Sequence, residues 1–147
     1  MPNYIIKSPD NSEEWEDYLH FRWEILRKPL GMSKESLSDS IENDSYHLMG
    51  IDRGKKVIAS GRVHFNSRQE AQIRYMAVDD KFKRQGLGTE IVLKLERYAL
   101  KNGAQKMVLN ARENAISFYL SLGYKELGPY QSDTGIPHKV MEKNLKD

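Results

Sequence analysis

Lys83-Arg84-Gln85-Gly86-Leu87-Gly88 stands between a run that reads as a strand and a run that reads as a helix. At such a junction the first helical amides point outward without partners and the macrodipole is positive, so the geometry accepts an anion. Gly86 and Gly88 remove side chains that would obstruct it, and Lys83 and Arg84 bring full charges to the same spot. Pyrophosphate is the ligand that best uses several amides and cations together. The plain competitor is a pair of permissive turn glycines. Two familiar phosphate cradles fail to match: a Walker A loop needs Gly-Lys-Ser/Thr at its end, and the dinucleotide fingerprint needs a third glycine where this chain has Ile91.

Other residue types bound the chemistry. There are no cysteines, which removes cysteine nucleophiles, thiolate metal sites and disulfides, and no metal site is expected. The chain bears no mark of an oxidising compartment, and its first residues, MPNYIIKSPDNSEEW, lack a basic segment followed by an apolar core, so a cytoplasmic protein is expected. Twenty-three Lys and Arg against 21 Asp and Glu give a net charge of +2, too small to indicate a nucleic-acid or membrane surface. Any anion site must be local.

The 147 residues are expected to form one domain, 1–147, around a single site. Residues 3–7 read as a strand, followed by a helix capped by Asn11 or Ser12, with Glu13 and Glu14 in its first turn and its end at Pro29. Trp15, Tyr18, Leu19, Arg22 and Ile25 or Leu26 recur at helical spacing and are expected to face the core. A short helix is placed at 33–42. Residues 46–52 and KVIASGRVHF form a hairpin through RGKK, where glycine makes a positive φ cheap. In AQIRYMAVDD, alternation puts Ile73, Tyr75 and Ala77 on one face and Gln72, Arg74, Met76 and Val78 on the other.

From Arg84 to Asn102 the stripe Leu87, Ile91, Leu95 and Tyr98 predicts a helix, supported by a Glu90–Lys94 pair and stopped at Gly103. QKMVLNA then reads as a strand, ENAISFYLSLG as a helix, YKELG as a strand, and IPHKVMEKNL as a final strand or extended tail. The result is an α/β (α+β) domain, a mixed central sheet flanked by helices without doubly wound alternation.

Two segments carry a resemblance. IRYMAVDDKFKRQGLGTEIV resembles the acetyl-CoA signature of the GCN5-related N-acetyltransferase (GNAT) superfamily, a strand followed by Arg/Gln-x-x-Gly-x-Gly/Ala at a helix start. Lys83 departs from its first position, keeping a cation without the guanidinium fork. NARENAISFYLSLGYKELG resembles the family's second segment in Asn114, Ala115, Phe118, Tyr119, Gly123 and Tyr124. The likeness is strongest over about residues 55–128, and TGIPHKVMEKNL is similar to the small bacterial ElaA-like branch.

The resemblance implies an acetyl-CoA-dependent N-acetyltransferase acting on an amine of a small molecule or peptide, as monomer or homodimer. It implies that main-chain groups of Met76, Ala77 and Val78 pair with the pantetheine arm like an added strand, and that the amides of Arg84, Gln85, Gly86, Leu87, Gly88 and Thr89, with the Lys83 cation beside them, hold the pyrophosphate. Asn110 and Asn114 are further cofactor contacts, with helix capping the competing role for Asn114. Tyr119 matches the general acid. With ordinary values near 10 for tyrosine and 8.5 for a thiol, full proton donation is uphill by about 2 kcal/mol, so hydrogen bonding to the thiolate is expected, with proton transfer late.

The base does not carry over. Gln72 occupies the position of the family's common glutamate and cannot accept a proton, which leaves His64 and His138, or a water chain. Without cysteine, direct attack is expected. Two other classes stay open, a non-catalytic acyl-CoA sensor or protein-interaction module and, more weakly, an RNA-binding module.

Overall fold

The computed structural model describes residues 3–37, 39–132 and 134–145. The strands expected from alternation form one seven-stranded sheet, in the order β1-β2-β3-β4-β5-β7-β6. They are β1 (Tyr4–Lys7), β2 (Tyr46–Asp52), β3 (Val57–Phe65), β4 (Glu70–Val78), β5 (Lys106–Arg112), β6 (Lys125–Gln131) and β7 (Pro137–Asn144). Every neighbouring pair is antiparallel except β4 and β5. Three helices accompany them: α1 (Ser12–Leu26), α2 (Leu87–Lys101) and α3 (Ile116–Ser121). No described helix is long and apolar enough to cross a membrane.

The helices lie on opposite faces. Adjacent β2 residues separate the two sides: Leu48 packs with Ile91 and Leu95 of α2, and Met49 with Tyr18 and Phe21 of α1. Ile91 and Leu95 are wholly buried, worth about 1.5–3 kcal/mol each. The fit against β3 requires Gly61, because a Cβ there would lie 2.6 Å from Met76 Sδ and 2.8 Å from Ile91 Cγ2.

Asn11 caps α1 by accepting from the Glu14 amide at 2.9 Å. The helix ends at Leu26 rather than Pro29, and Pro29 instead sits in the 3-10 turn Lys28–Leu30, since proline disfavours helix in the residue before it. Tyr18, Phe21, Arg22 and Leu26 are its buried residues; Leu19, one position off that stripe, is 37% exposed. The helix expected at 33–42 is replaced by two 3-10 turns, Lys34–Leu37 and Glu42–Asp44. Buried Arg22 draws this segment in, donating to the Leu37 carbonyl at 2.7 Å and to both Glu42 carboxylate oxygens. Tertiary bonds there override helix propensity.

Three further expectations change. In the RGKK turn the positive φ belongs to Lys55, not Gly54, while Asp52 Oδ1 accepts from the Gly54 and Lys56 amides. Glu90 takes the Tyr4 hydroxyl at 2.7 Å in place of Lys94. In β4 the alternation breaks at Tyr75, whose φ of 58° coincides with a register shift between Ser60 and Arg62. The extra residue of this bulge puts Ile73 with Met76 and Val78 on the α2 side, and Tyr75 with Ala77 on the α1 side.

Candidate active site

β4 and β5 pair over Glu70↔Lys106, Ala71↔Met107 and Gln72↔Val108, and there their pairing ends. β5 continues to Arg112 with only β7 beside it, and β4 continues to Val78 with only β3. The bulge at Tyr75 lies just past the point of divergence, where such a feature bends the strand away. An opening therefore runs between Ile73–Val78 and Leu109–Arg112, edged by main-chain groups able to pair with an extended ligand as an added strand. Met76, Ala77 and Val78 lie on that edge.

At the end of β4 the chain makes a 3-10 turn, Asp80–Phe82, and then the loop into α2. Arg84 has φ 67° and Gly86 φ 87°, and the first bond of α2 runs from the Glu90 amide to the Gly86 carbonyl. Among the described residues the amides from Arg84 to Thr89 have no backbone acceptor, and no side chain caps the helix. The exposed amides and positive helix end suit a multiply charged phosphate group. Gly86 has a further reason to be glycine, its left-handed φ, and a Cβ there would project into space that no other protein atom fills. Gly88 does lie close to its neighbours, with Phe118 and Val78 each 3.4 Å from a Cβ placed there. Leu87 offers only its amide, since its side chain is core. Lys83 is paired with Asp80 at 2.9 Å, and Gln85 bonds the Lys81 carbonyl.

Of the adjacent aromatics, Phe118 reaches Gly88, while Tyr119 is 6% exposed and packs in the core edge-on to Phe118 and Tyr124. The neighbouring tyrosines differ in one respect. Tyr124 donates to buried Glu96 at 2.8 Å, which also takes Lys143, whereas the Tyr119 hydroxyl has no partner among the described residues. Nor is that hydroxyl among the fully enclosed unpartnered atoms, which include both ring nitrogens of His64. Burial raises the Tyr119 phenol well above its usual value, so it stays protonated and keeps its hydrogen to donate. Asn114 is exposed and does not cap α3, whose N-cap is Ala115. Asn110 shares the face of Arg112, opposite the core residues Leu109 and Ala111, and so lies on the α1 side rather than with the phosphate loop.

The histidines divide sharply. His64 is 6% exposed, its ring nitrogens are sealed without partners, and burial, then Arg62 and Arg74, lower its pKa to about 4. It lies opposite Gln72, one strand removed from the opening. His138 lies directly opposite Arg112 at the end of β5. Its Nδ1 donates to the Ile136 carbonyl at 2.7 Å, which fixes the tautomer and leaves Nε2 free to accept. Gln72 is itself held by the Asn66 amide at 3.0 Å.

Spacing gave no sign of the arginines on the α1 side. Arg112 Nη2 donates to the Leu26 carbonyl at 3.1 Å, crossing from β5 to the end of α1, which packs on β4. Arg27 Nη1 donates to the same oxygen at 3.2 Å. A hint was present in the sequence: Arg74 and Arg112 interrupt otherwise apolar strands.

Comparison with known proteins finds a matching domain family and similar chains. The acetyltransferase (GNAT) domain family matches residues 27–145. The Bacillus subtilis protein named uncharacterized N-acetyltransferase YjcF is 31% identical over 135 residues, covering 91% of this chain and 95% of that one. Among solved structures, Escherichia coli ElaA superposes with a TM-score of 0.79 at 16% identity, over 98% of this chain and 100% of the other. An aminoglycoside 6'-N-acetyltransferase complexed with coenzyme A gives the same TM-score and identity, over 97% of this chain and 98% of that one.

Proposed function

The chain belongs to the acetyltransferase (GNAT) domain family and is an N-acetyltransferase, and on that premise we propose that it transfers an acetyl group from acetyl-CoA directly to a primary amine of a small molecule or peptide. The observation that carries this reading is the junction of two unsatisfied main-chain surfaces: the unpaired β4 edge at Met76–Val78 leads straight into the free amides of Arg84–Thr89. One surface suits an amide-bearing pantetheine arm and the other a pyrophosphate. Acetyl-CoA supplies an activated acetyl thioester.

The residues around the opening divide the remaining work between the two faces of the sheet. On the α1 side, His138 Nε2 accepts the proton that an ammonium acceptor must shed. On the α2 side, the Tyr119 hydroxyl donates a hydrogen bond to the departing sulfur, and its raised pKa holds it neutral. Thiolate protonation then follows from solvent or late through Tyr119. Over the whole reaction an N–C bond forms, a C–S bond breaks, and the ammonium loses one proton beyond the one the thiol regains. His64, sealed from the opening, takes no part.

The test of the cofactor assignment is calorimetric titration with coenzyme A. A one-to-one complex, weakened at least tenfold when Arg84–Thr89 is replaced by a helix start of ordinary sequence, is expected. Undiminished affinity in that variant removes the cradle from the reading.

A further inference from the structure

The α1 side of the sheet beside the opening carries a surplus of guanidinium groups. Arg22 and Arg62 are buried and share Glu42, Arg62 also takes Asp39 at 2.8 Å, and Arg74 meets Asp39 at 3.6 Å. Their guanidiniums gather over the Tyr75 ring at 4.2, 4.8 and 5.4 Å from its centroid. Arg27 and Arg112 complete the group but have no carboxylate partner among the described residues. Of these five cations, three thus share two carboxylates and two have none among the described residues.

Arg27 and Arg112 are also the two that converge across the opening, each donating one N–H to the Leu26 carbonyl. A guanidinium has five donors, so most of theirs remain available, and Arg27 Nε is enclosed without a partner. Burial, and then the nearby Arg112, Arg74 and Arg22, hold Arg27 below its ordinary value, a sign of unrelieved cation crowding. Two forked cations side by side match a carboxylate or phosphate.

We propose that the acetyl acceptor is an anionic amine, whose carboxylate or phosphate is held by Arg27 and Arg112, with Arg74 at the rim. The inference rests on the acetyltransferase reading above. His138 and Arg112 are a direct cross-strand pair, so the proton acceptor and one of the anion-holding cations spring from the same rung of the β5–β7 ladder on the α1 face. An amino acid or an aminoalkyl phosphate is an acceptor of this kind. A polyamine, an aminoglycoside or a protein lysine would bring only positive charge to a cationic wall.

The test uses calorimetry on the protein loaded with coenzyme A, with N-acetylglycine, N-acetyl-β-alanine and an N-acetylated aminoethyl phosphate as probes and N-acetylglycinamide as the neutral control. At least one anionic probe is expected to bind tenfold or more tighter than the control, and which one does so separates carboxylate from phosphate. Arg27→Gln and Arg112→Gln should erase that preference, and Arg112→Lys should restore part of it. Equal binding of charged and neutral probes, or a preference that survives both glutamine variants, overturns the inference. Thiol release in acetyl-CoA assays with cationic amines but never with the parent anionic amines also overturns it, while leaving the acetyltransferase reading intact. Selective anion binding without thiol release for any amine supports the anion site and overturns the acetyltransferase reading instead.

Discussion

Gln72 and Val108 form the last rung that β4 and β5 share, and the unpaired edge beyond it is the feature on which the site is built. If pantetheine adds to that edge as a strand, acetyl-CoA will slow amide hydrogen exchange at Met76–Val78 and at Arg84–Thr89 by at least tenfold. Gln72 and Val108, already laddered, will be unaffected. Protection confined to other segments would relocate the cofactor.

Tyr119→Phe removes a hydroxyl that has no partner among the described residues, so its folding stability should be unchanged or slightly higher. Turnover should fall by about a hundredfold, the lower end of proton-transfer contributions, with coenzyme A affinity preserved. Because the fold is untouched, a turnover equal to wild type removes Tyr119 from the acid role. Chemical denaturation and steady-state rates on the same preparation decide it.

The two histidines should separate cleanly. His138→Gln loses the free Nε2 acceptor and is expected to lower turnover by about a hundredfold, whereas His64→Leu leaves turnover near wild type. The His64 variant instead reports on stability. With its pKa at about 4 when folded and 6.5 as its ordinary value, His64 is protonated in the unfolded chain first. Its contribution is fully present above pH 6.5 and is lost as pH falls toward 4, by up to about 3 kcal/mol. Urea titrations across that window should show a flatter profile for His64→Leu, and parallel profiles would contradict the buried, neutral assignment.

At Gly86 the backbone and the space around it make different demands. Gly86→Ala forces a Cβ into a left-handed conformation and should cost about 1–2 kcal/mol of stability and at least tenfold in coenzyme A affinity. Gly86→Asn, which tolerates that conformation, should retain most of the stability, since no protein atom crowds the position, while its side chain beside the free amides still weakens coenzyme A binding. Equal loss of stability in the two variants would contradict the φ requirement.

Regular periodicity carried most of the fold. The stripe Leu87, Ile91 and Leu95 located α2, the alternating runs located the strands, and the two motif segments located the phosphate loop and α3. What escaped depends on single residues acting at a distance. Tyr75 breaks the alternation of β4 with a positive φ that no glycine announces, so Ile73 and Ala77 end on opposite faces. Segment 33–42 takes its shape from Arg22 and Arg62, which anchor its carbonyl and carboxylate groups from other elements. The convergence of Arg27 with Arg112 joins residues distant in sequence through one carbonyl. None of these is a local property, and so none is periodic.

Acetyl transfer from a thioester to an amine at this opening is read directly as the initial rate of free thiol release from acetyl-CoA across a panel of amines, with a reaction lacking protein as the baseline. Amine-dependent release with matching formation of the N-acetyl product, reduced about a hundredfold by Tyr119→Phe, is expected. Coenzyme A binding with no release above baseline for any amine would contradict it and identify the domain as an acyl-CoA sensor.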